Sequence, residues 1–360
     1  MTPRVSVLMA VYNGGKYVKQ SVASVLTQDM TDLEFVIVDD NSTDDTRAIV
    51  EAFGDARVRM VRNERNMGQT RSLNRALSMA TAPLVARIDA DDAYLPGKLS
   101  RQLAFMDSHP EVVVCGTWAE KIDAEGQVFG LYAPPIDRND IRFAILHGVP
   151  LCHVSVMMRR ELVLAHGGYD GQFPYAADFD LWSRLFRRGM VLANIPDVLM
   201  QYRQFEASLG AVQKVGPAGH EAARIIEENF RSLTGVPIST EIARSIALLY
   251  FPAAELTAAQ VADAYDALGR AAREIYGRRV WRVRMRLAGM LAWSLWRQSA
   301  HSRWRATRHE MSFVRRWAGD PLALGAVAAV GVAGFVPPAR ILRAKEAVMS
   351  VAGRRRPGRT

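Results

Sequence analysis

The chain has 360 residues, of which 49% are hydrophobic and 23% charged, and its formal net charge is +9. This composition excludes a wholly disordered chain, and the length favours two domains, or a domain with an appendage, over a single core. The two cysteines, Cys115 and Cys152, have neither the spacing of a metal site nor the number of a disulfide framework. Cysteine usage therefore favours a reducing compartment such as the cytosol.

The positive charge is concentrated in the second part of the chain. Residues 1–210 contain 22 basic and 26 acidic residues, whereas residues 211–360 contain 24 basic and 11 acidic residues. We therefore predict an ordinary globular domain over 1–210 and a basic region over 211–360 that meets a polyanion. Nucleic acid and an anionic membrane are the two candidates for that polyanion.

Strand and helix patterns alternate through the first part of the chain. The apolar run over 5–11 is typical of a strand buried on both faces, and it is too short for a signal peptide. Further strands are predicted over 35–38, 58–61 and 84–88, with helices over 17–27, 42–53, 69–80 and 96–108. These units with short connections predict an α/β fold with a doubly wound, mostly parallel sheet flanked by helices.

The pattern is less regular after residue 110. Strands are predicted over 112–115 and 154–158, a hairpin turn at 125–126, and a helix over 178–187. Beyond residue 210 the periodic segments all favour helices, so the second region is predicted to be helical.

Carboxylates follow two of the predicted strands. Asp39 and Asp40 come directly after the second strand, and Asp89 and Asp91 come after the fourth. Ligands of open α/β sheets bind at this edge, and alternate residues of an extended segment point the same way. Asp89 and Asp91 can therefore converge on one hard cation that also binds a diphosphate. A solvated acidic turn is the alternative.

Two common nucleotide-binding motifs are missing after the first strand. The sequence Tyr12-Asn13-Gly14-Gly15 contains neither a Gly-x-Gly-x-x-Gly fingerprint nor a P-loop. Dinucleotide and P-loop interpretations therefore lose their main support.

Several short motifs along residues 4–205 together resemble the inverting family 2 glycosyltransferases, which have the GT-A fold. The matching segments, in the order of that family, are Val5-Ser6-Val7 through Val11-Tyr12-Asn13, Val38-Asp39-Asp40-Asn41-Ser42-Thr43-Asp44, Asn66-Met67-Gly68 with Asn74, Ile88-Asp89-Ala90-Asp91-Asp92, His153-Val154-Ser155-Val156-Met157, Gly167-Gly168-Tyr169-Asp170 and Ala177-Asp178-Phe179-Asp180-Leu181-Trp182.

The resemblance implies a set of donor-binding residues. Asp40 matches the acid that hydrogen-bonds the nucleotide base, commonly uracil, and Asp39 supports the same loop. The backbone from Ala10 to Tyr12 matches the segment that lines the base and the ribose. A UDP-sugar is therefore the favoured donor.

The resemblance also implies a metal site and a base. Asp89 and Asp91 match the Asp-x-Asp pair that binds Mn²⁺ or Mg²⁺, with Asp91 as the more direct ligand. Asp178 matches the catalytic base. Ala177, the neighbour of Asp178, departs from the family pattern, which often has a glutamate there. This puts in doubt the acceptor contacts that this position makes in the family.

The implied mechanism is a single displacement. The divalent cation stabilises the leaving nucleoside diphosphate, while a carboxylate removes a proton from the acceptor hydroxyl on the opposite face of the sugar. One displacement inverts the anomeric centre, so an α-linked donor gives a β-linked product.

Four other polar or aromatic residues allow both a functional and a structural interpretation. His153 and Trp182 are candidates for acceptor binding, with a hydrogen-bonded structural histidine and a core aromatic as the alternatives. Arg203 either closes over phosphates or packs at the surface. Asp180 is interpreted as structural.

The basic region has the composition of a membrane-surface segment. Residues 278–317 contain eleven arginines against Glu310 as the only acid, with five tryptophans interleaved. A basic amphipathic helix with tryptophan at its boundary lies in a membrane interface. The uncharged run over 322–339 is shorter than a typical spanning helix, so we expect an interfacial or re-entrant segment, with a span or a buried helix as alternatives.

Together these features predict a membrane-associated glycosyltransferase, peripheral or monotopic at the cytoplasmic face, with no nucleic-acid partner. The expected acceptor is a saccharide or a lipid-linked saccharide in surface polysaccharide or glycolipid synthesis. One rival is a nucleotidyltransferase, which needs a Gly- and Arg-rich loop after the first strand. The other rival is an inactive sugar-nucleotide-binding or scaffold subunit of a polysaccharide synthase.

Overall fold

The computed structural model describes residues 3–204, 212–250 and 256–277. The chain divides into two compact units, Met1–Ala254 and Glu255–Thr360. The arginine- and tryptophan-rich segment 278–317 and the uncharged segment 322–339 lie outside the described residues.

The first unit is built on one mixed sheet. Its strands are β1 Val5–Val11, β2 Leu33–Asp39, β3 Val58–Arg62, β4 Leu84–Arg87, β5 Ala93–Tyr94, β6 Val112–Ile122, β7 Val128–Tyr132, β8 Met157–Arg159 and β9 Val191–Arg203. The strand order is β3-β2-β1-β4-β8-β6-β9-β5, and β7 pairs with β6 as a hairpin. Strands β1 to β4 are mutually parallel, as is the β6–β9 pair, whereas β8, β5 and β7 run antiparallel to their neighbours.

Helices cover the sheet and continue beyond it. They are α1 Val18–Leu26, α2 Thr46–Glu51, α3 Gln69–Met79, α4 Lys98–Ser108, α5 Arg138–Ala144, α6 Arg160–Ala165, α7 Ala177–Arg187, α8 Val212–Thr234, α9 Thr240–Tyr250 and α10 Ala258–Tyr276. Helix α8 packs against α7 and α9, so both later helices belong to the same compact unit as the sheet. Helix α10 lies in the second unit. Within the three described ranges, no helix has both the length and the hydropathy needed to cross a membrane.

The central position of β1 explains its uninterrupted apolar sequence. All seven of its residues are buried, because β2 and β4 flank it and helices cover both faces. Val5, Val7 and Met9 join the core that contains residues of α1 and α4, whereas α3 packs against β1 and β2. The α/β class and the first three strand–helix units of the sequence analysis are confirmed.

Two segments differ from the predicted elements. The strand predicted over 154–158 is a 3₁₀ turn, His153–Ser155, followed by the short strand β8. Strand β9 was not predicted, because only its N-terminal half is well buried and Pro196 and Asp197 interrupt the apolar pattern. The later part of the sheet is consequently more mixed than its first four strands.

Candidate active site

A cleft of about 650 Å³ opens at the C-terminal ends of β1, β2 and β4. This is the edge at which open α/β sheets bind their ligands, and the volume suits a nucleotide-sized molecule. The cleft is lined by Ala10, Val11, Tyr12, Asn13, Gly14, Lys16, Tyr17, Asp40, Asn66, Gly68, Gln69, Asp89, Ala90 and Asp91. All five predicted donor-binding residues therefore line one cavity.

The turn after β1 forms the floor of the cleft and is held by the loop after β2. Asn13 adopts φ 52°, a left-handed conformation that asparagine tolerates, and its N–H donates to Ser42 Oγ at 2.9 Å. Thr43 N–H returns a bond to Asn13 Oδ1 at 2.8 Å. A Cβ on Gly14 would lie 2.7 Å from Val11 Cγ2 and 3.2 Å from Ala90 Cβ, so glycine permits the close approach to the acidic loop.

Asp40 is a buried carboxylate that holds the other wall of the cleft. It accepts hydrogen bonds from Asn63 Nδ2 at 2.7 Å and from the N–H groups of Met67 and Gly68 at 2.8 Å each. Burial alone raises the pKa of Asp40, but these bonds outweigh burial and the net pKa is lowered. Asp40 is therefore ionised while it lines the cleft. Asp39 supports the same loop by accepting from Ser42 N–H at 2.8 Å.

Asp89, Asp91 and Asp92 form a compact acidic cluster after β4. One carboxylate oxygen from each lies within 4.8 Å of the others. Burial and the negative charge of Asp89 together raise the pKa of Asp91 to about 6. Burial and both neighbouring charges raise the pKa of Asp92 well above its usual range. A divalent cation with oxygen ligands is the species that relieves such repulsion.

The three acids of this cluster differ in the partners that they already have. Asp92 Oδ1 accepts from Arg203 N–H at 2.8 Å, and Asp92 does not line the cleft. Asp89 Oδ1 accepts from Arg87 Nη2 at 2.7 Å and from Gln69 Nε2 at 3.2 Å. Asp89 and Asp91 face the cleft, and the hard oxygen donors there fit Mn²⁺ or Mg²⁺.

Asp178 lies in the first turn of α7, with its side chain one quarter exposed. Its Oδ1 accepts from Phe179 N–H at 2.8 Å, and its Oδ2 lies 3.8 Å from His153 Nδ1. Burial raises the pKa of Asp178, while the Phe179 bond and the Arg87 cation act in the opposite direction. The charge of Asp89 also raises this pKa, so the two acidic sites interact.

His153 and Trp182 are packed behind Asp178. His153 Nε2 lies 2.9 Å from the Tyr169 hydroxyl, and burial lowers the pKa of His153 well below its usual value. Trp182 is fully buried with its ring edge-on to His153, at 5.9 Å between centroids. The expectation that Trp182 stacks on an acceptor is wrong for this structure, because its ring has no exposed face.

Asp180 and Arg203 have structural partners. Asp180 Oδ2 accepts from Arg184 Nε at 2.7 Å, which agrees with its structural interpretation. Arg203 is 4% exposed, and its guanidinium donates to the carbonyls of Asp91 and Asp123 at 2.9 and 2.6 Å. The suggestion that Arg203 closes over phosphates is therefore wrong here, since it braces the acidic loop instead.

Sequence reasoning missed two residues that shape the site. Gln69 lines the cleft and bonds Asp89, and its position directly after the Gly68 turn was an available signal. Glu221 of α8 accepts from the N–H groups of Tyr175 and Ala176 at 2.9 Å each, immediately before α7. Nothing in the local sequence of a surface helix indicates that role.

The comparison with known proteins identifies the family. The family described as "Glycosyl transferase family 2" matches residues 6–167. The amylovoran biosynthesis glycosyltransferase AmsE of Erwinia amylovora is 34% identical over 203 residues, which cover 55% of this chain and 75% of AmsE. This chain belongs to glycosyltransferase family 2. The family and the enzyme class predicted from sequence are thus confirmed.

Two further proteins are similar over most of their own length. The UDP-Glc:alpha-D-GlcNAc-diphosphoundecaprenol beta-1,3-glucosyltransferase WfaP of Escherichia coli is 28% identical over 209 residues, covering 58% of this chain and 80% of WfaP. The crystal structure of S. aureus TarS 1–349 superposes with a TM-score of 0.53 at 18% identity, covering 82% of this chain and 88% of TarS 1–349. The second likeness confirms the GT-A fold of the family 2 enzyme.

Proposed function

We propose that this family 2 glycosyltransferase moves a sugar from a nucleoside diphosphate, with UDP-sugars favoured, to a saccharide or lipid-linked acceptor with inversion. The observation that carries the proposal is the pairing of two acidic sites. Asp89 and Asp91 face the cleft at the sheet edge. Asp178 lies on a different element, α7, and the charge of Asp89 raises its pKa. A donor site and a base are thereby supplied by separate elements.

The donor half of the proposal uses the turn after β1 and the loop after β2. Asp40 is ionised and accepts from the N–H group of a base such as uracil, while Ala10 and Tyr12 line the base and ribose. Tyr12 is 50% exposed, which leaves its ring available to a ligand. The hydrogen bonds from Met67 and Gly68 fix the Asp40 carboxylate before the donor arrives.

Asp91, with Asp89 beside it, would hold Mn²⁺ or Mg²⁺ against the donor diphosphate. When bound, such a cation offsets the negative charge that develops on the leaving nucleoside diphosphate. Arg87 and Gln69 fix Asp89 Oδ1 and leave Oδ2 for the cation. Arg203 fixes the loop that carries Asp91 by bonding its backbone carbonyl.

Asp178 would remove the proton from the acceptor hydroxyl as that oxygen attacks the anomeric carbon. Burial raises its pKa toward the working pH, which suits a general base. The Phe179 N–H holds Oδ1, and Oδ2 faces the neutral His153 ring at a distance that leaves room to accept a proton. A single base and a single displacement give inversion.

The proposed acceptor is supported by the names of two relatives, and the proposed location is supported by the charge distribution of the chain. WfaP is named for a diphosphoundecaprenol-linked acceptor and a beta product, and AmsE for the biosynthesis of amylovoran. We assign catalysis to residues 1–210, and contact with the cytoplasmic face of an anionic membrane to residues 211–360. The net charge and the arginines and tryptophans of 278–317 support that contact.

The test is a screen of UDP-, GDP- and TDP-sugars for hydrolysis and transfer, with Mn²⁺ or with a chelator. We expect turnover of at least one UDP-sugar only with metal, and nuclear magnetic resonance of the product should show an inverted anomeric centre. Retention would contradict the mechanism. Absence of turnover with every donor, despite nucleotide binding, would favour an inactive synthase subunit.

Asp178→Asn separates binding from chemistry. Because the amide cannot accept the proton, we expect turnover to fall by ~10²-fold or more while calorimetry shows unchanged donor affinity. Asp107→Asn is the control, since Asp107 is an exposed acid paired with Arg4. Loss of donor affinity in Asp178→Asn with comparable turnover would make Asp178 a ligand instead of a base.

A further inference from the structure

Asn74 on α3 and the pair Gly168-Tyr169 before α7 do not line the cleft, and the structure joins them to each other. Asn74 Nδ2 donates to the Tyr169 carbonyl at 2.7 Å, and Asn74 Oδ1 accepts from the Tyr169 N–H at 2.9 Å. Gly168 has φ 59°, and a Cβ there would lie 2.7 Å from Asn74 Oδ1, so glycine permits this close pairing. The backbone of Tyr169 is therefore fixed to a helix that packs against β1 and β2.

The side chain of Tyr169 ends at the ring of His153. Its hydroxyl lies 2.9 Å from His153 Nε2, and the centroids of the two rings are 5.5 Å apart. Tyr169 is 2% exposed, and among residues 3–204, 212–250 and 256–277 its hydroxyl makes no other hydrogen bond. A buried O–H that donates to nothing is costly, and burial raises the pKa of Tyr169 so that the phenol keeps its proton. The Tyr169 hydroxyl therefore donates to Nε2.

This hydrogen bond determines which nitrogen of the His153 ring carries the proton. Burial lowers the pKa of His153 well below its usual value, so the ring is neutral and has one N–H and one bare nitrogen. Because Nε2 accepts from Tyr169, the proton lies on Nδ1. Nδ1 is the atom that lies 3.8 Å from Asp178 Oδ2. An N–H thus faces the carboxylate, where the other tautomer would present a lone pair.

The orientation of the His153 ring is supported from two further sides. The buried ring of Trp182 packs edge-on against it, at 5.9 Å between centroids. The 3₁₀ turn that carries His153 is held by Ser155, whose Oγ accepts from Thr117 N–H at 2.9 Å and donates to the Cys152 carbonyl at 2.8 Å. The direction of Nδ1 is therefore fixed by packing as well as by the bond to Tyr169.

We propose that Tyr169 and His153 are positioning residues for Asp178, in which Tyr169 fixes the His153 tautomer whose Nδ1–H faces the carboxylate. The separation of 3.8 Å exceeds a hydrogen bond, so the contact is that of an N–H dipole with a charge. A dipole in this direction favours the ionised form of Asp178, which is the form that can remove a proton from the acceptor. The inference rests on the proposed role of Asp178 as base.

Other charged or titratable groups act on Asp178 or His153, or lie on the elements packed around them. They are Arg87 on β4, Asp89 after β4, Tyr132 on β7, Cys152 before the 3₁₀ turn, Asp180 and Arg184 on α7, Tyr202 on β9 and Glu221 on α8. The variants compared below leave all of these residues unchanged, so a difference in pH dependence between the variants does not come from them.

The test compares two amides in place of the His153 ring. The amide group of asparagine lies near the position of Nδ1, and that of glutamine lies near Nε2. His153→Asn therefore keeps an N–H toward Asp178, whereas His153→Gln does not. Tyr169→Phe keeps the aromatic ring and removes the donor to Nε2. Tyr94→Phe is the matched control, because Tyr94 is buried and its hydroxyl donates to the Arg87 carbonyl at 2.7 Å.

The first measurement is the tautomer of His153, from ¹⁵N nuclear magnetic resonance of the histidine-labelled full chain at pH 8. The signals of His153 are those missing from His153→Asn. We expect the proton on Nδ1 in the wild type and in Tyr94→Phe, and a population shifted toward Nε2 in Tyr169→Phe. A proton on Nε2 in the wild type, or an unmoved tautomer in Tyr169→Phe, overturns the proposal.

The second measurement is kcat from pH 6 to 9 for the full chain, with donor and Mn²⁺ saturating. Loss of the N–H that faces Asp178 should raise the pKa of that carboxyl, so activity should be lost selectively at low pH. For His153→Gln we expect kcat at pH 6 to fall about threefold or more relative to kcat at pH 9. His153→Asn and Tyr94→Phe should keep the wild-type profile. An unmoved profile in His153→Gln overturns the proposal, and if His153→Gln does not fold, the same shift is required of Tyr169→Phe.

Asp178→Asn distinguishes failure of this inference from failure of the proposed function. If that variant keeps turnover, Asp178 is not the base and the proposed function fails at that point, whatever the tautomer of His153. If that variant is inactive while wild-type His153 carries its proton on Nε2, only the role of Tyr169 and His153 fails.

Discussion

Asp91 combines partial burial with the neighbouring negative charge of Asp89, and this makes its ionised form less favourable in the metal-free protein. Burial and the charge of Asp89 raise its pKa to about 6, from about 3.8 in an unfolded chain. A carboxylate whose pKa is raised by folding contributes stability at pH values below its pKa in the unfolded chain. This contribution is lost as the pH rises through its pKa in the folded protein. In the metal-free protein, the contribution of Asp91 to stability should therefore fall as the pH rises from about 4 to about 6.

Asp91→Asn should have opposite effects on stability and on binding. Because the amide carries no charge, the metal-free variant should be more stable than the wild type at pH 7, by about 1–3 kcal/mol, and closer to it at pH 4. Calorimetry should show that Mn²⁺-dependent UDP binding is lost. Denaturant unfolding at the two pH values gives the stability.

Asp29→Asn is the control for both measurements, since Asp29 is an exposed acid bonded to Ser100. If Asp91→Asn binds UDP with an unchanged metal dependence, Asp91 is not a metal ligand. If its stability at pH 7 is unchanged, the charge repulsion is already relieved by another group.

At the residue scale, the sequence was sufficient to predict that the acids following the strands line the cleft. The positions of Asp40, Asp89 and Asp91 follow from strand ends and their two-residue spacing, which local sequence contains. The environments of Trp182 and Arg203 do not, because an aromatic or an arginine suits both a cleft and a core. Only packing decides between the two, and here it buries both side chains.

Helix α7 carries Asp178 in its first turn, so the orientation of that turn determines where this proposed base lies. No side chain of α7 caps this end, and Ala176 occupies the capping position. The carboxylate of Glu221, from α8, instead accepts from the N–H groups of Tyr175 and Ala176. A helix outside the predicted catalytic domain thus fixes the entry to α7.

Glu221→Ala should weaken both the fold and the chemistry. Loss of two hydrogen bonds to a charged acceptor should lower the free energy of unfolding by about 1–3 kcal/mol. Turnover should fall while the donor affinity in calorimetry stays unchanged, because the cleft residues are untouched. Glu228→Ala is the matched control on the same helix, because Glu228 is 54% exposed and its mostly buried partner Arg187, at 3.1 Å, keeps a bond to Asn229 Oδ1 at 2.7 Å. Its loss should cost about 1 kcal/mol or less. Equal effects of the two substitutions would contradict this role of Glu221.

At the element scale, burial on both faces made the early strands predictable. Strands β1, β2 and β4 are almost wholly buried, so their apolar runs are uninterrupted. Strand β9 is buried at only some of its positions and includes Pro196 and Asp197, so its sequence lacks such a run. Long-range pairing with β6 determines that β9 is a strand, and pairing of that kind is not written in local sequence.

The charge of the whole molecule is divided between a net acidic region that contains the cleft and a net basic region that follows it. If catalysis takes place at a lipid-linked acceptor, the basic region would hold the cleft near the membrane surface. Each arginine near an anionic surface contributes about 1 kcal/mol, and the effect is screened by salt.

Replacing Arg279, Arg282 and Arg286 by glutamine in the full chain should therefore weaken binding to phosphatidylserine vesicles by ~100-fold, as three arginines at that value imply. Sedimentation with vesicles at low and high salt measures this. The matched control replaces three exposed arginines of the first region, Arg47, Arg71 and Arg101, and should change little. Equal effects of the two triple variants, or equal binding to neutral vesicles, would contradict electrostatic attachment.

The bonds from Arg203 to the acidic loop have a consequence for folding during synthesis. Strands β1 to β4 pair with one another within residues 5–87, so this part of the sheet can form before the later strands are synthesised. Asp91 and Asp92, however, receive their bonds from Arg203 at the end of β9. A nascent chain can thus carry Asp89 and Asp91, the proposed metal ligands, while their loop still lacks its bonds to Arg203. We expect the donor cleft to mature only after the last strand has left the ribosome.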